Sequence, residues 1–180
     1  MKKRSIVCLL LILVLLLGGC ATAINKGFYL YRSSPLGFKM EYPETWTKEV
    51  DLDDSSAAFI TPQEGFGDPY LDNLAVSYEE LGEYQFADFF DLYYDSLPSV
   101  FSGFAEEEKS EVLLNEKEAY KIVFSSASED EEVEAELKVM QYVVLSGERV
   151  YFITYSAHPD SYEYFLPFVN TMLETFTFSV

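Results

Sequence analysis

Two cysteines and one histidine are all that this 180-residue chain offers for thiol or imidazole chemistry. One of the cysteines ends the stretch Leu17-Gly18-Gly19-Cys20, which closes a leader. Lys2, Lys3 and Arg4 come first, then an apolar run from Ile6 to Leu17. A basic start, a short apolar stretch and small residues at its end make the layout of a secretory signal peptide. The apolar run is about 12 residues long, where a membrane-crossing helix needs about 20. A thiol placed directly after small residues reads as a lipobox. The sulfur forms a thioether to diacylglycerol, and the glycines let a peptidase reach the bond before it. Residues 1–19 are expected to be a lipoprotein signal peptide, and Cys20 the fatty-acylated N-terminus of the mature chain. Cys8 leaves with the leader, so neither a free thiol nor a disulfide is expected afterwards.

His158, followed by Pro159, is the sole imidazole. Ser156 and Asp160 could be drafted beside it, but residues two apart on a strand cannot face one another as a Ser-His-Asp set requires. No Gly-x-Ser-x-Gly elbow is present. One histidine and one lipidated cysteine cannot build a His/Cys metal site. Catalytic residues, cofactors and metal ligands are therefore not expected. Among oxygen donors, Asp51, Asp53, Asp54 and Ser56 open like a calcium loop. Ser56, however, stands where that loop needs glycine, and Pro62 where it needs a closing glutamate, which excludes an EF-hand. Glu106-Glu107-Glu108 and Glu129-Asp130-Glu131-Glu132 could gather a weakly held, calcium-like cation, although such runs are usually solvated surface. An aromatic cleft of Tyr70, Tyr78, Tyr93 and Tyr94 is a further candidate, for a small ligand.

The elements that would position these residues are mostly strands. Phe28–Tyr31 and Phe38–Tyr42 alternate in period two around the turn residues Ser33-Ser34-Pro35. Ala57–Thr61 and Leu74–Tyr78 follow, with a Gly/Pro-rich loop between them. From Gln85 to Leu97 the period changes: Phe86, Phe89, Phe90, Tyr93 and Leu97 form one helical stripe, read as core, and Pro98 should end it. Glu111–Leu114 and Ala119–Ser125 flank the tight turn Asn115-Glu116-Lys117. Glu134–Leu145 and Val150–Ala157 read as a hairpin around Ser146-Gly147-Glu148, and Ser125–Glu132 as a polar loop. A last helix should start at Asp160 as N-cap, with Glu163 completing a capping box. Its apolar face is Tyr162, Phe165, Val169, Met172, Leu173 and Phe176. Pro167 should either kink it or open its main piece. The sum is an α+β domain, an antiparallel β-sheet flanked by two helices, over residues 27–180. Residues 20–26 form a short lipidated tether of at most roughly 20 Å.

Composition bounds the partners. The leader carries three basic and no acidic groups, so nine Lys and Arg would face 31 Asp and Glu in the mature chain, a net charge of −22. Nucleic acid is excluded as a partner by that sign, which as a whole also repels anionic lipid headgroups and attracts cations or basic partners. With 49% hydrophobic and 17% aromatic residues, the chain is a folding one rather than a disordered one.

The segment Gly37-Phe38-Lys39-Met40-Glu41-Tyr42-Pro43-Glu44-Thr45-Trp46 resembles the N-terminal signature of PsbP-like domains. There a Gly-Phe strand runs into Tyr-Pro and a packed tryptophan. The later order is similar: a Phe-x-x-x-Tyr-Tyr helix, paired strands around Glu118-Ala119-Tyr120, and a Tyr-x-x-Thr-Tyr strand at Tyr151–Tyr155. A final helix ending in Phe176-Thr177-Phe178 completes it. The resemblance implies a domain that binds macromolecules and does not catalyse, as in the photosystem subunit PsbP, a Ran-binding import factor and many bacterial and archaeal lipoproteins. PsbP is associated with metal ions, but no matching ligand pattern occurs here. Trp46 is expected to be a buried anchor. The function expected is that of an extracytoplasmic, membrane-anchored lipoprotein with a protein-binding or scaffold domain, facing the periplasm if the cell has two membranes. The other reading is a carrier or sensor of a small ligand or weak cation.

Overall fold

The computed structural model describes residues 25–51, 55–63, 71–127 and 135–179. Its elements run β1 (Phe28–Ser33), β2 (Phe38–Pro43), β3 (Thr47–Val50), β4 (Ser56–Ile60), β5 (Asn73–Glu80) and α1 (Phe86–Val100). Then come β6 (Ala105–Leu114), β7 (Lys117–Ala127), β8 (Glu136–Ser146), β9 (Arg149–Ala157), α2 (Pro159–Thr175) and β10 (Thr177–Phe178). A seven-stranded sheet has the order β3-β4-β5-β9-β8-β7-β6, and a small sheet the order β1-β2-β10. The pairings are antiparallel. An α+β architecture with two helices is what the sequence led one to expect; the separate small sheet is an addition.

The large sheet is covered on both faces, and its central strands show why. On β9, Tyr151, Ile153, Tyr155 and Ala157 join one buried cluster, with the small sheet and α2. Val150 and Phe152 alternate with them and join the other, with α1. A strand buried on both faces reads as a continuous apolar run, as Val150–Ile153 does. Within the first cluster Phe38 stacks on Phe176 at 4.9 Å, and Trp46 meets Phe165 edge-on at 5.8 Å. Trp46 is 5% exposed, the buried anchor expected. In the second, Phe90 lies flat on Tyr120 at 3.6 Å.

Several boundaries differ from the sequence reading, each for a physical reason. Helix α1 continues through Pro98 to Val100. The proline sits in the exposed last turn, where its missing N–H removes a single bond from an already fraying end. Helix α2 starts two residues early. Pro159 supplies the pre-set first helical residue, so His158 and not Asp160 is the N-cap, its Nδ1 accepting from the Asp160 N–H at 3.2 Å. Asp160 still stands in the first turn, where its charge complements the helix dipole. The helix runs on past Pro167 to Thr175, and Phe176 is its C-cap. Strand β6 begins at Ala105, taking in Glu106–Glu108 with a bulge there. Strand β3 was also missed; like most of β6, three of its four residues are exposed, so neither shows the buried-exposed alternation that marks a half-covered strand.

Candidate functional site

The two sheets part at one end, around a cavity of about 740 Å³. Its walls come from three turns, the end of β5 at Glu80 and the last strand. The β8–β9 hairpin contributes Gly147, Glu148 and Arg149, the β6–β7 hairpin Asn115 and Lys117, the β1–β2 connection Ser34 and Gly37, and β10 Thr177 and Phe178. Both hairpins are two-residue turns of the kind that match strand twist. Gly147 has φ +66°, and Asn115 and Glu116 have φ of 49° and 69°.

Arg149 fastens this end together. Its Nε pairs with Glu80 Oε1 at 3.2 Å, its Nη1 donates to the Pro35 carbonyl at 2.8 Å, and its guanidinium lies 3.9 Å over the Tyr78 ring. Beside it the Tyr151 hydroxyl donates to the Leu36 carbonyl at 3.0 Å. Gly37 is required where it stands. Its φ is +68°, and a Cβ there would lie 2.8 Å from the Tyr151 hydroxyl oxygen. On the same wall Thr177 Oγ1 is buried without a hydrogen-bond partner. The cavity thus offers two cationic and two anionic side chains, an aromatic wall and one unmet hydroxyl. That is an arrangement for holding a polar group.

A second groove, of about 390 Å³, lies between α2 and strands β6–β8. Lys121 pairs with Glu108 at 2.9 Å and Lys138 with Glu107 at 3.1 Å. Lys138 also sits 4.8 Å from the Tyr162 ring centre. The Lys121 ammonium, with the Ser110 hydroxyl, lowers the Glu108 pKa, while burial raises those of Tyr142 and Tyr162.

The structure distributes the residues singled out from sequence as follows. His158 is engaged as the α2 cap; the Asp160 carboxylate is 3.8 Å from its Nδ1, and Ser156 pairs across β5 with Asn73. Asp51 accepts from the Ser56 hydroxyl. The Glu106 carboxylate turns to the Tyr94 hydroxyl on the α1 side, while Glu107 and Glu108 are paired with Lys138 and Lys121 in the second groove. Among the described residues, no three His, Cys, Asp or Glu side chains converge as a metal site would need. The aromatic cleft is a correction. Tyr78 packs with the α2-side cluster, whereas Tyr93 and Tyr94 belong to the α1 side, so the large sheet separates them. Neighbouring strand residues point to opposite faces, and spacing along the chain does not reveal which face a distant helix will cover. Cys20, Tyr70, Asp53, Asp54 and Glu129–Glu132 lie outside the described residues.

Two residues that no motif marked carry the ends of α2. Asp72, 3% exposed, accepts from the His158 N–H at 2.9 Å and from the Ser161 hydroxyl. Asn115 donates to carbonyls at the other end. Each acts on residues far away in sequence, so no local pattern could have pointed to it.

No protein-family model matches the chain, and no curated protein matches it by sequence. Solved structures match by shape. Cyanobacterial PsbP (CyanoP) from Synechocystis sp. PCC 6803 superposes with a TM-score of 0.63 at 15% identity, over 90% of this chain and 98% of that one. LpqN of Mycobacterium tuberculosis, involved in cell envelope biogenesis, gives 0.65 at 13% identity, over 85% and 91%. PA94 from Pseudomonas aeruginosa, a protein of unknown function, gives 0.59 at 17%, over 82% and 94%. The fold is PsbP-like, as the Gly37–Trp46 segment suggested.

Proposed function

We propose that this chain is an extracytoplasmic lipoprotein, held to the membrane through acylated Cys20, whose PsbP-like domain is a non-catalytic protein-binding or scaffold module. The observation that carries the reading is the succession of a basic and apolar leader, Leu17-Gly18-Gly19-Cys20, and a first strand beginning at Phe28. The sole histidine is occupied in capping α2, which supports a binding role over a reactive one. The cell-envelope involvement of LpqN is consistent with the same setting. A carboxylate-rich surface would favour a basic partner and make capture fall as salt is raised, with screening over about 8 Å at physiological strength.

The 740 Å³ end cavity favours a second reading, a carrier of a small polar ligand. Membrane crosslinking and capture at low and high salt, together with fatty-acid labelling of the chain and of Cys20→Ser, tests the first reading. Loss of label in the variant and recovery of a salt-sensitive protein partner are expected. Label that persists in Cys20→Ser rejects the anchor. Turnover of ester, peptide or phosphate substrates that vanishes in His158→Ala rejects the non-catalytic assignment.

A further inference from the structure

The small sheet has two unlike faces. Inward, Tyr31, Phe38 and Met40 are buried in the core. Outward, Leu30 and Arg32 alternate with them on β1, opposite Glu41 and Lys39 on β2. Leu30 is 41% exposed, Arg32 is exposed, and Tyr29 at the sheet margin is 52% exposed. Arg32 and Lys39 stand directly across from each other, and among the described residues neither forms an ion pair. Like charges directly opposite on neighbouring strands repel, and an anion shared between them removes that repulsion.

Where the chain leaves this face matters as much as its composition. Glu41 is an outward position yet only 7% exposed, because Asn25 lies against it and donates its backbone N–H to Glu41 Oε2 at 2.8 Å. Gly27 accepts from the Glu44 N–H at 2.9 Å beside it. Asn25, where the described chain begins, is therefore fastened to the outward face of the small sheet. From Asn25 only residues 20–24 separate that face from the anchor, a reach of at most roughly 17 Å.

The charges are arranged in the same sense. Helix α1 covers the opposite face of the large sheet, and its outer side carries exposed Asp88, Asp91 and Asp95. A strongly acidic domain approaches an anionic headgroup layer favourably only through a side where positive groups stand within a Debye length, about 8 Å, of that layer. Arg32 and Lys39, with exposed Lys26 at the chain exit, form such a side. Exposed Leu30 suits the depth of the headgroups, where apolar side chains partition.

We propose that the outward face of the small sheet, Leu30 with Arg32 and Lys39, is the surface on which the anchored domain lies against an anionic bilayer, α1 turned away. The proposal rests on acylation of Cys20. Because the mature chain would then hold no free thiol, a single introduced cysteine can be labelled selectively.

The test uses the full, processed chain reconstituted in vesicles of equal parts phosphatidylglycerol and phosphatidylcholine. Leu30→Cys and, on α1, Leu92→Cys carry a polarity-sensitive fluorophore, and the N-terminal peptide is weighed for its acyl groups. The expected result is an acylated peptide, a blue-shifted label at 30 quenched by brominated lipid, and a label at 92 that stays in water. Reversal by Arg32→Glu with Lys39→Glu should remove the shift at 30. An acylated chain whose label at 30 is as wet as that at 92, or whose shift survives charge reversal, overturns the docking face and leaves the anchor standing. An unacylated chain overturns both. Lys26→Cys, at the exposed chain exit, reports on the same side if circular dichroism shows that Leu30→Cys is unfolded.

Discussion

The Asn115 amide donates to the Leu173 carbonyl at 2.9 Å, joining the β6–β7 turn to the last turn of a helix 58 residues away. It also donates to the Phe176 carbonyl. Helix ends leave carbonyls that need partners, and here a distant turn supplies one. Asn115 has φ 49°, so Asn115→Gly keeps the turn and deletes the cap. A loss of about 1–2 kcal/mol is expected, read as a lower urea midpoint. Asn115→Ala should lose about 1 kcal/mol more, because alanine is strained in that backbone region. Equal midpoints for the two variants would show that the turn conformation is unimportant.

At the other end of α2, Asp72 receives the His158 N–H and the Ser161 hydroxyl. Asp72→Ala leaves the His158 N–H unpaired in a part-buried setting, while the Ser161 hydroxyl keeps the His158 carbonyl at 3.1 Å, at a cost of roughly 2 kcal/mol. Ser161→Ala, which removes one of the bonds together with its donor, should cost about 1 kcal/mol. Thermal melts of the two variants at the same pH check the order.

Tyr93 gives a test in alkali. Its hydroxyl donates to Gln141 Oε1 at 2.5 Å, and Gln141 Nε2 in turn donates to Thr154 Oγ1 at 2.8 Å. Burial, opposed by the Gln141 bond and helped by the Glu79 charge, pushes the Tyr93 pKa from 10.0 up to about 12. In the unfolded chain the phenol loses its proton near its ordinary value, while the folded chain holds it. Its contribution is therefore complete below pH 10 and is lost as pH rises toward 12. Tyr93→Phe is expected to cost about 1–2 kcal/mol at neutral pH, for the Gln141 oxygen left unmet. That deficit should shrink by on the order of 2 kcal/mol between pH 10 and 12. Denaturant midpoints of both proteins across that range measure it; a constant deficit would contradict the buried phenol.

Trp46 is the sole tryptophan, so its emission reports the core directly. The folded protein should emit in the blue and resist iodide, and Trp46→Ala should cost about 3–5 kcal/mol. Emission near that of free indole would contradict its packing on Phe165.

What could be read in advance was whatever repeats locally. Phe90 and Leu97 are buried under α1 and Phe86, Phe89 and Tyr93 pack beside them, as the three- and four-residue spacing requires. The Asn115-Glu116 and Gly147-Glu148 turns were equally visible, because positive φ selects such residues. Pairings across long gaps left no trace of this kind. Leu74 lies beside Tyr155, and Asp72 beside Ser161, only after α1 and three strands have been placed between them. The end cavity is assembled from five such separated pieces. Arg149 is one residue of a hairpin until Glu80, Pro35 and Tyr78 are brought to it.

The two outer strands of the large sheet bear on how copies of this chain can meet. β6 presents Glu106, Glu107 and Glu108 with a bulge among them, and β3 presents Lys48 and Glu49, all exposed. An open strand edge is a template for another copy, and charge or a bulge spoils the template. A second molecule aligning along β6 would set carboxylate against carboxylate and meet an interrupted ladder. Sheet-to-sheet pairing is disfavoured at that edge.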